Sequence, residues 1–175
     1  KYSYSVVDAK RIVKNVSKFT NNVNGLNFLD VGCGHGLISR EAMNSEFHVI
    51  ALELSDIERD VAYSLTKIMP INSSFEDYVC DANTFDVIIL SQILEHVIDI
   101  NLWTSKSHHC LKKGGVLAIA LPNFNSFLRL ILKEGDPYIC PPVHLNFFNK
   151  KNLIKLLDIH GFDVEYSEFI SRIPD

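Results

Sequence analysis

The sequence predicts an α/β protein in three layers, a mostly parallel sheet with helices on both faces. Three observations predict it. Short apolar runs alternate with segments of helical periodicity along the chain, which is the order of βα units. The run Phe85–Leu90 (FDVIIL) is almost continuously apolar, as a parallel strand buried on both faces must be. Finally, Asn27–Gly36 (NFLDVGCGHG) reads as a strand that stops at an acid, breaks into alternating glycines and gives way to helical spacing.

The elements follow in order. Apolar residues at 6, 9, 12, 13, 16 and 19 place a helix over Val6–Phe19. Phe28, Leu29 and Val31 form the first strand, and Leu37, Ile38 and Met43 resume helical spacing after the glycines. His48–Leu54 is the second strand and Asp56–Ile68 the next helix. A weak third strand is expected at Ile68–Ile71, and Phe85–Leu90 is the fourth. A helix from Trp103 to Leu111, a glycine turn and a fifth strand, Val116–Leu121, come next. Asn123–Asn149 is a longer insertion with an amphipathic stretch, Phe127–Leu132, and prolines at 137, 141 and 142. Insertions of this kind carry specificity. Asn149 caps a helix over Lys151–Ile159, Gly161 ends it, and Phe162–Phe169 is a sixth strand.

At 175 residues the chain is expected to be one domain, 1–175, large enough for a substantial core. With 47% hydrophobic and 22% charged residues it has the composition of a globular protein. No apolar run is long enough to span a bilayer, and the polar, basic start lacks a signal-peptide pattern. The four cysteines form no C-x-x-C pair, which points to a reducing cytoplasm and away from a zinc knuckle or disulfide framework. A net charge of −4 opposes general affinity for nucleic acid, which needs clustered lysine and arginine.

The glycine turn carries the chemistry. Between a strand and a helix it presents free backbone N–H groups at the positive end of the helix dipole. A dinucleotide fingerprint needs G-x-G-x-x-G, but here Leu37 occupies the place of the third glycine. The spacing therefore opposes a dinucleotide. Glu53, at the end of the second strand, can accept hydrogen bonds from two ribose hydroxyls.

The stretch Asp30–Gly36 resembles motif I of the class I S-adenosylmethionine-dependent methyltransferases. The segment Phe85–Val97 (FDVIILSQILEHV) is a second point of resemblance. What the resemblance implies is a Rossmann-like sheet, S-adenosylmethionine as cofactor and S-adenosylhomocysteine as product. It implies a methionine cradle at Asp30, Gly32, Cys33, Gly34 and Gly36, a ribose contact at Glu53 with Leu54 beside it, and Ser91 and Gln92 next to the sulfonium. Family members often have an acid near the adenine amine after the third strand, where this chain has Ser74. Phe75 can pack on the ring or offer its backbone N–H. The family sheet normally adds a seventh, antiparallel strand beyond the point where this sequence stops. Either that segment is missing or the sheet closes in another way.

Ubiquinone-biosynthesis O-methyltransferases and small-RNA 2′-O-methyltransferases carry a similar E-x-x-E-H helix associated with a divalent metal. In this chain, Gln92, Glu95 and His96 would converge on one face of such a helix, and His144 in PPVHLNFF stands like the later histidine of the RNA enzymes. Gln92 replaces the first acid and is a weaker ligand for a hard cation, so no metal is assigned. His144 and His96 are the candidate catalytic bases, since imidazole titrates near neutral pH. The expected reaction is methyl transfer to oxygen of a small-molecule, sugar or quinone-like acceptor. An RNA acceptor and a non-catalytic cofactor-binding module are the alternatives.

Overall fold

The computed structural model describes residues 5–20, 22–126, 131 and 142–170. In chain order the elements are α1 (Val6–Val16), β1 (Asn27–Val31), α2 (Leu37–Asn44), β2 (His48–Leu52), α3 (Asp56–Thr66), β3 (Phe85–Ser91), α4 (Ile100–Cys110), β4 (Leu111–Ala120) and α5 (Lys150–Ile159). The strands form one sheet in the order β2-β1-β3-β4, and every pair is parallel. Three-layer α/β architecture is therefore present. The order turns back between β1 and β3, which places a crevice at the carboxyl ends of those strands.

Alternation across the sheet divides the core in two. Phe28, Val87 and Ile89 pack with Ala9, Val13, Ile38 and Ala42 of α1 and α2. Leu29, Ile88 and Leu90 pack with Trp103, Cys110 and Leu156 of α4 and α5. Two helix starts are fixed by reciprocal capping, Ser5 with Asp8 at α1 and Asn149 with Asn152 at α5, each satisfying two otherwise free N–H groups.

Several sequence expectations change. The third strand shrinks to one parallel bridge between Ile71 and Leu52, because the chain touches β2 and turns away. Phe162–Phe169 is no strand. Residues 163–170 are exposed and irregular, and instead of joining the sheet the segment sends Glu168 to Arg11 at 3.4 Å and sets Tyr166 against Phe19. The helix expected over Gln92–His96 is a turn at 94–96. α1 ends at Val16, and α4 begins earlier than Trp103, with Asp99 accepting from the N–H groups of Asn101 and Leu102. The amphipathic stretch Phe127–Leu132 (apart from Ile131), with Pro137, Cys140 and Pro141, lies outside the described residues. Among the described residues, no helix is long and apolar enough to cross a membrane.

Candidate active site

The glycine loop leaves β1 at Val31 and enters α2 at Leu37. Its N–H groups are anchored from β2. Cys33 donates to the carbonyl of Leu52 at 2.9 Å, and Gly34 donates to Glu53 Oε2 at 2.9 Å. The other oxygen of Glu53 accepts from the N–H of Ser55 at 2.9 Å, and Ser55 caps α3. One carboxylate thus ties the glycine loop to the start of the next helix. Gly34 has a φ of +52°, and a Cβ there would meet no atom within 4 Å. The loop is open on that side. Gly36 is the opposite case, since its Cβ would lie 3.0 Å from Ala62 Cβ.

Asp30 serves the loop from beneath. It is 1% exposed, and Ser39 Oγ donates to its Oδ2 at 2.6 Å. The N–H of Ser39 also donates to it. Gly36 gives α2 no side-chain cap, so this carboxylate supplies the negative group that a helix N-terminus favours. Burial outweighs the Ser39 hydrogen bonds and, with Glu53 nearby, Asp30 is pushed up to about 6. Burial likewise pushes the Cys33 thiol up, so it is no thiolate nucleophile. Leu54 is exposed at the rim beside Glu53. His35, in the loop, meets Glu58 of α3 at 2.7 Å.

The loop after Ile71 is built differently from expectation. The hydroxyl of Ser74 donates to Asp77 Oδ2 at 2.7 Å and accepts from the Asp77 N–H at 3.0 Å, so it caps a turn. Phe75 is 1% exposed and packs on Trp103 at 5.2 Å. Its ring belongs to the core. Glu76 holds the loop to α4 by accepting from Trp103 Nε1 at 2.7 Å.

At the end of β3, Ser91 Oγ is buried with no hydrogen-bond partner among the described residues. Gln92 takes a left-handed φ of +57° and its N–H donates to the carbonyl of Ala120 at 2.7 Å. The chain then turns, and the turn brings Glu95 and His96 to His144. Ligand-type atoms of these three lie within 4.8 Å of one another. The rings of His96 and His144 meet edge to face at 4.8 Å. His96 Nδ1 donates to the carbonyl of Val143 at 2.9 Å. That bond puts the ring proton on Nδ1 and leaves the Nε2 lone pair of the neutral ring facing Glu95 Oε1, 4.0 Å away. Glu95 is 2% exposed, neither of its carboxylate oxygens has a hydrogen-bond partner among the described residues, and burial raises its pKa.

Two connected groups result: Asp30 with Ser39, and the glycine loop with Cys33 and Glu53, after β1, and Glu95, His96 and His144 beyond the end of β3. Ser91 and Gln92 lie between β3 and the second group along the chain, while Leu54, Ser74 and Phe75 join neither. Two contributors were not assigned from the sequence. Ser39 could have been found as the polar residue facing Asp30 from the first turns of α2. Asn146, which holds the second group together, carries no signal beyond its place near His144.

A family model described as "Methyltransferase domain" matches residues 7–167. The ubiquinone biosynthesis O-methyltransferase of Pelagibacter ubique is 30% identical over 159 residues, covering 79% of this chain and 66% of that protein. The mitochondrial ubiquinone biosynthesis O-methyltransferase of Homo sapiens is 28% identical and covers 81% of this chain but 42% of its own length. The chain thus spans less than two thirds of these curated relatives. Among solved structures, a SAM-dependent methyltransferase from Archaeoglobus fulgidus superposes with a TM-score of 0.74 at 19% identity, covering 91% of this chain and 70% of its own. An S-adenosylmethionine-dependent methyltransferase from Mesorhizobium loti gives 0.73 at 19%, covering 93% and 85%. Those two share the fold. Since the family model takes in the glycine loop, all four strands and the His144 segment, the chain belongs to the methyltransferase domain family.

Proposed function

We propose that this chain transfers a methyl group from S-adenosylmethionine to a hydroxyl oxygen of a small, quinone-like or sugar acceptor. The observation that carries the proposal is that an open glycine loop held by Glu53 and the turn bearing the Glu95–His96–His144 cluster follow the carboxyl ends of the paired parallel strands β1 and β3. The names of the ubiquinone biosynthesis relatives support oxygen as the methylated atom and a quinone-like acceptor. The proposal treats 1–175 as one methyltransferase domain, with residues 123–149 on the acceptor side. It places the chain in the cytoplasm, a reducing compartment, in keeping with the free thiols of Cys33, Cys80 and Cys110.

S-adenosylmethionine, when bound, supplies a methyl carbon already activated by the sulfonium. The chain has to bind, align and exclude water. The backbone of Gly32–Gly36 would hold the methionine end and Glu53 the ribose. Leu54 would pack at the rim, the backbone near Ser74 and Phe75 would meet the adenine, and Ser91 and Gln92 would stand beside the reacting centre. His96, with its Nε2 lone pair presented, and His144 are placed to take the acceptor proton.

A second reading adds a divalent metal, and the buried, unpartnered carboxylate of Glu95 favours it. Glu95, His96 and His144 are the residues that would hold the ion, and the carbonyl behind His96 Nδ1 is the kind of support that orients a ligating histidine. Such an ion supplies a lowered pKa of the acceptor hydroxyl.

Calorimetry with S-adenosylmethionine, followed by a search of hydroxylated acceptors for a gain of one methyl mass, tests the proposal. Micromolar binding and turnover on a small hydroxylated acceptor are expected. No binding by the folded chain sinks it, binding without turnover on any acceptor makes the chain a silent module, and turnover on RNA alone replaces the acceptor class. Activity that survives chelation and dialysis removes the metal reading.

A further inference from the structure

Residues 94–97 have no helix to satisfy their carbonyls, and buried carbonyls need donors. Asn146 provides most of them. Its side-chain amide donates to the carbonyl of Leu94 at 3.1 Å and to that of Val97 at 2.6 Å. Its backbone N–H donates to the carbonyl of Glu95 at 3.0 Å, and the N–H of Leu145 reaches the same oxygen at 2.7 Å. The reverse contact, His96 Nδ1 to the carbonyl of Val143 at 2.9 Å, closes the clamp. Both hydrogens of one amide group are committed, to carbonyls on either side of Glu95 and His96.

We propose that Asn146 is a positioning residue for the methyl transfer, assembling the Glu95–His96–His144 cluster by clamping the segment Val143–Asn146 onto the turn Leu94–Val97. The proposal rests on the methyltransferase reading for its kinetic consequence, though not for the clamp itself. His144 is two residues from the amide, so its approach to His96 is set by these bonds. The orientation of His96 depends on the same segment through Val143. Loss of both amide donors separates the two halves of the cluster while leaving the glycine loop and Glu53, on β1 and β2, in place.

The test uses Asn146→Asp, which keeps the size and removes both donors, and Asn146→Ser, which keeps one donor on a smaller side chain. Two readouts are taken on the full chain. The first is the nuclear Overhauser contact between the ring protons of His96 and His144. In Asn146→Asp it is expected to vanish, while the affinity for S-adenosylmethionine stays within twofold. The second is turnover. In Asn146→Asp kcat is expected to fall at least tenfold at an unchanged KM for S-adenosylmethionine, with a smaller fall in Asn146→Ser. Combined with His144→Ala, Asn146→Asp should add little. Persistence of the ring contact and of kcat in both variants overturns the proposal, as does loss of cofactor affinity in parallel with kcat, which marks a general structural role. If the wild-type chain neither binds cofactor nor turns over, the function is wrong while the ring contact still decides the clamp. If Asn146→Asp does not fold, the decision passes to Asn146→Ser, where an unweakened ring contact overturns the clamp.

Discussion

Glu53 Oε2 accepts the backbone N–H of Gly34 at 2.9 Å, so the acid at the end of β2 holds the middle of the glycine loop on β1. Its other oxygen accepts from Ser55. A single glutamine oxygen cannot replace both, because the second position of the amide is a donor. Glu53→Ala and Glu53→Gln are therefore both expected to weaken S-adenosylmethionine binding, by about 10- to 100-fold, the range that loss of one hydrogen bond to a charged group produces. Calorimetry checks this, and wild-type affinity in Glu53→Gln would contradict the ribose role.

Two glycines of the loop separate binding from stability. At Gly36 a Cβ meets Ala62 at 3.0 Å with φ at +76°, so Gly36→Ala should cost about 1–2 kcal/mol for the left-handed backbone alone, more with the contact. A fall of several degrees in the unfolding midpoint is expected, at roughly 2–4 °C per kcal/mol for a chain of this size. At Gly34 a Cβ meets nothing, so Gly34→Ala should be the milder change in stability. It puts a methyl group on the ligand side of the loop, however, and its cofactor affinity should fall further than its midpoint implies. Thermal scans with and without cofactor distinguish the two.

How far the sequence reveals this arrangement depends on whether the signal is local. The buried strand Phe85–Ser91, the acid-glycine turn after Phe28–Val31 and the cap at Asn149 are legible because each is written within a few neighbouring residues. Phe162–Phe169 misleads for the same reason. Its apolar and polar residues alternate, yet alternation says only which side chains share a face, and the segment finds α1 in place of a sheet edge. Gln92, Glu95 and His96 have helical spacing, but the side-chain amide of Asn146, about fifty residues away, donates to the carbonyls of Leu94 and Val97 and lets the chain turn there instead. The convergence of Glu95, His96 and His144 survives while its expected cause does not. No periodicity encodes a clamp of that kind.

The Asp30–Ser39 pair gives a pH signature in stability. Asp30 stands at about 6 in the fold against an ordinary 3.8, so between those values the folded state holds more protons than the unfolded one. Stability from this group is therefore full below about pH 4, declines as pH rises toward 6, and stays lowered above. About two units corresponds to ~3 kcal/mol as an upper bound. Asp30→Asn, which keeps an acceptor for Ser39, should match wild type near pH 4 and gain on it by pH 7. Chemical denaturation across this range measures the difference, and a constant offset would show that the carboxyl titrates normally.

Glu95 provides the sharpest opposition between stability and activity. Its carboxylate is buried without a hydrogen-bond partner among the described residues, burial raises its pKa, and His96 Nε2 lies 4.0 Å from its Oε1. Such a group costs the fold free energy above its own pKa, and positions that keep it do so for function. Glu95→Gln should raise the unfolding midpoint at pH 8, and the gain should fade as pH falls and wild-type Glu95 becomes neutral. In the same variant kcat should fall by about 100-fold, the lower range for loss of acid-base assistance, while S-adenosylmethionine affinity is kept because Glu53 and the glycine loop are untouched. Adding a divalent ion should raise the midpoint of wild type but not of Glu95→Gln if the cluster holds metal. A variant that is less stable at pH 8 and fully active would mean that the carboxylate is a structural acid, and that His96 and His144 work without it.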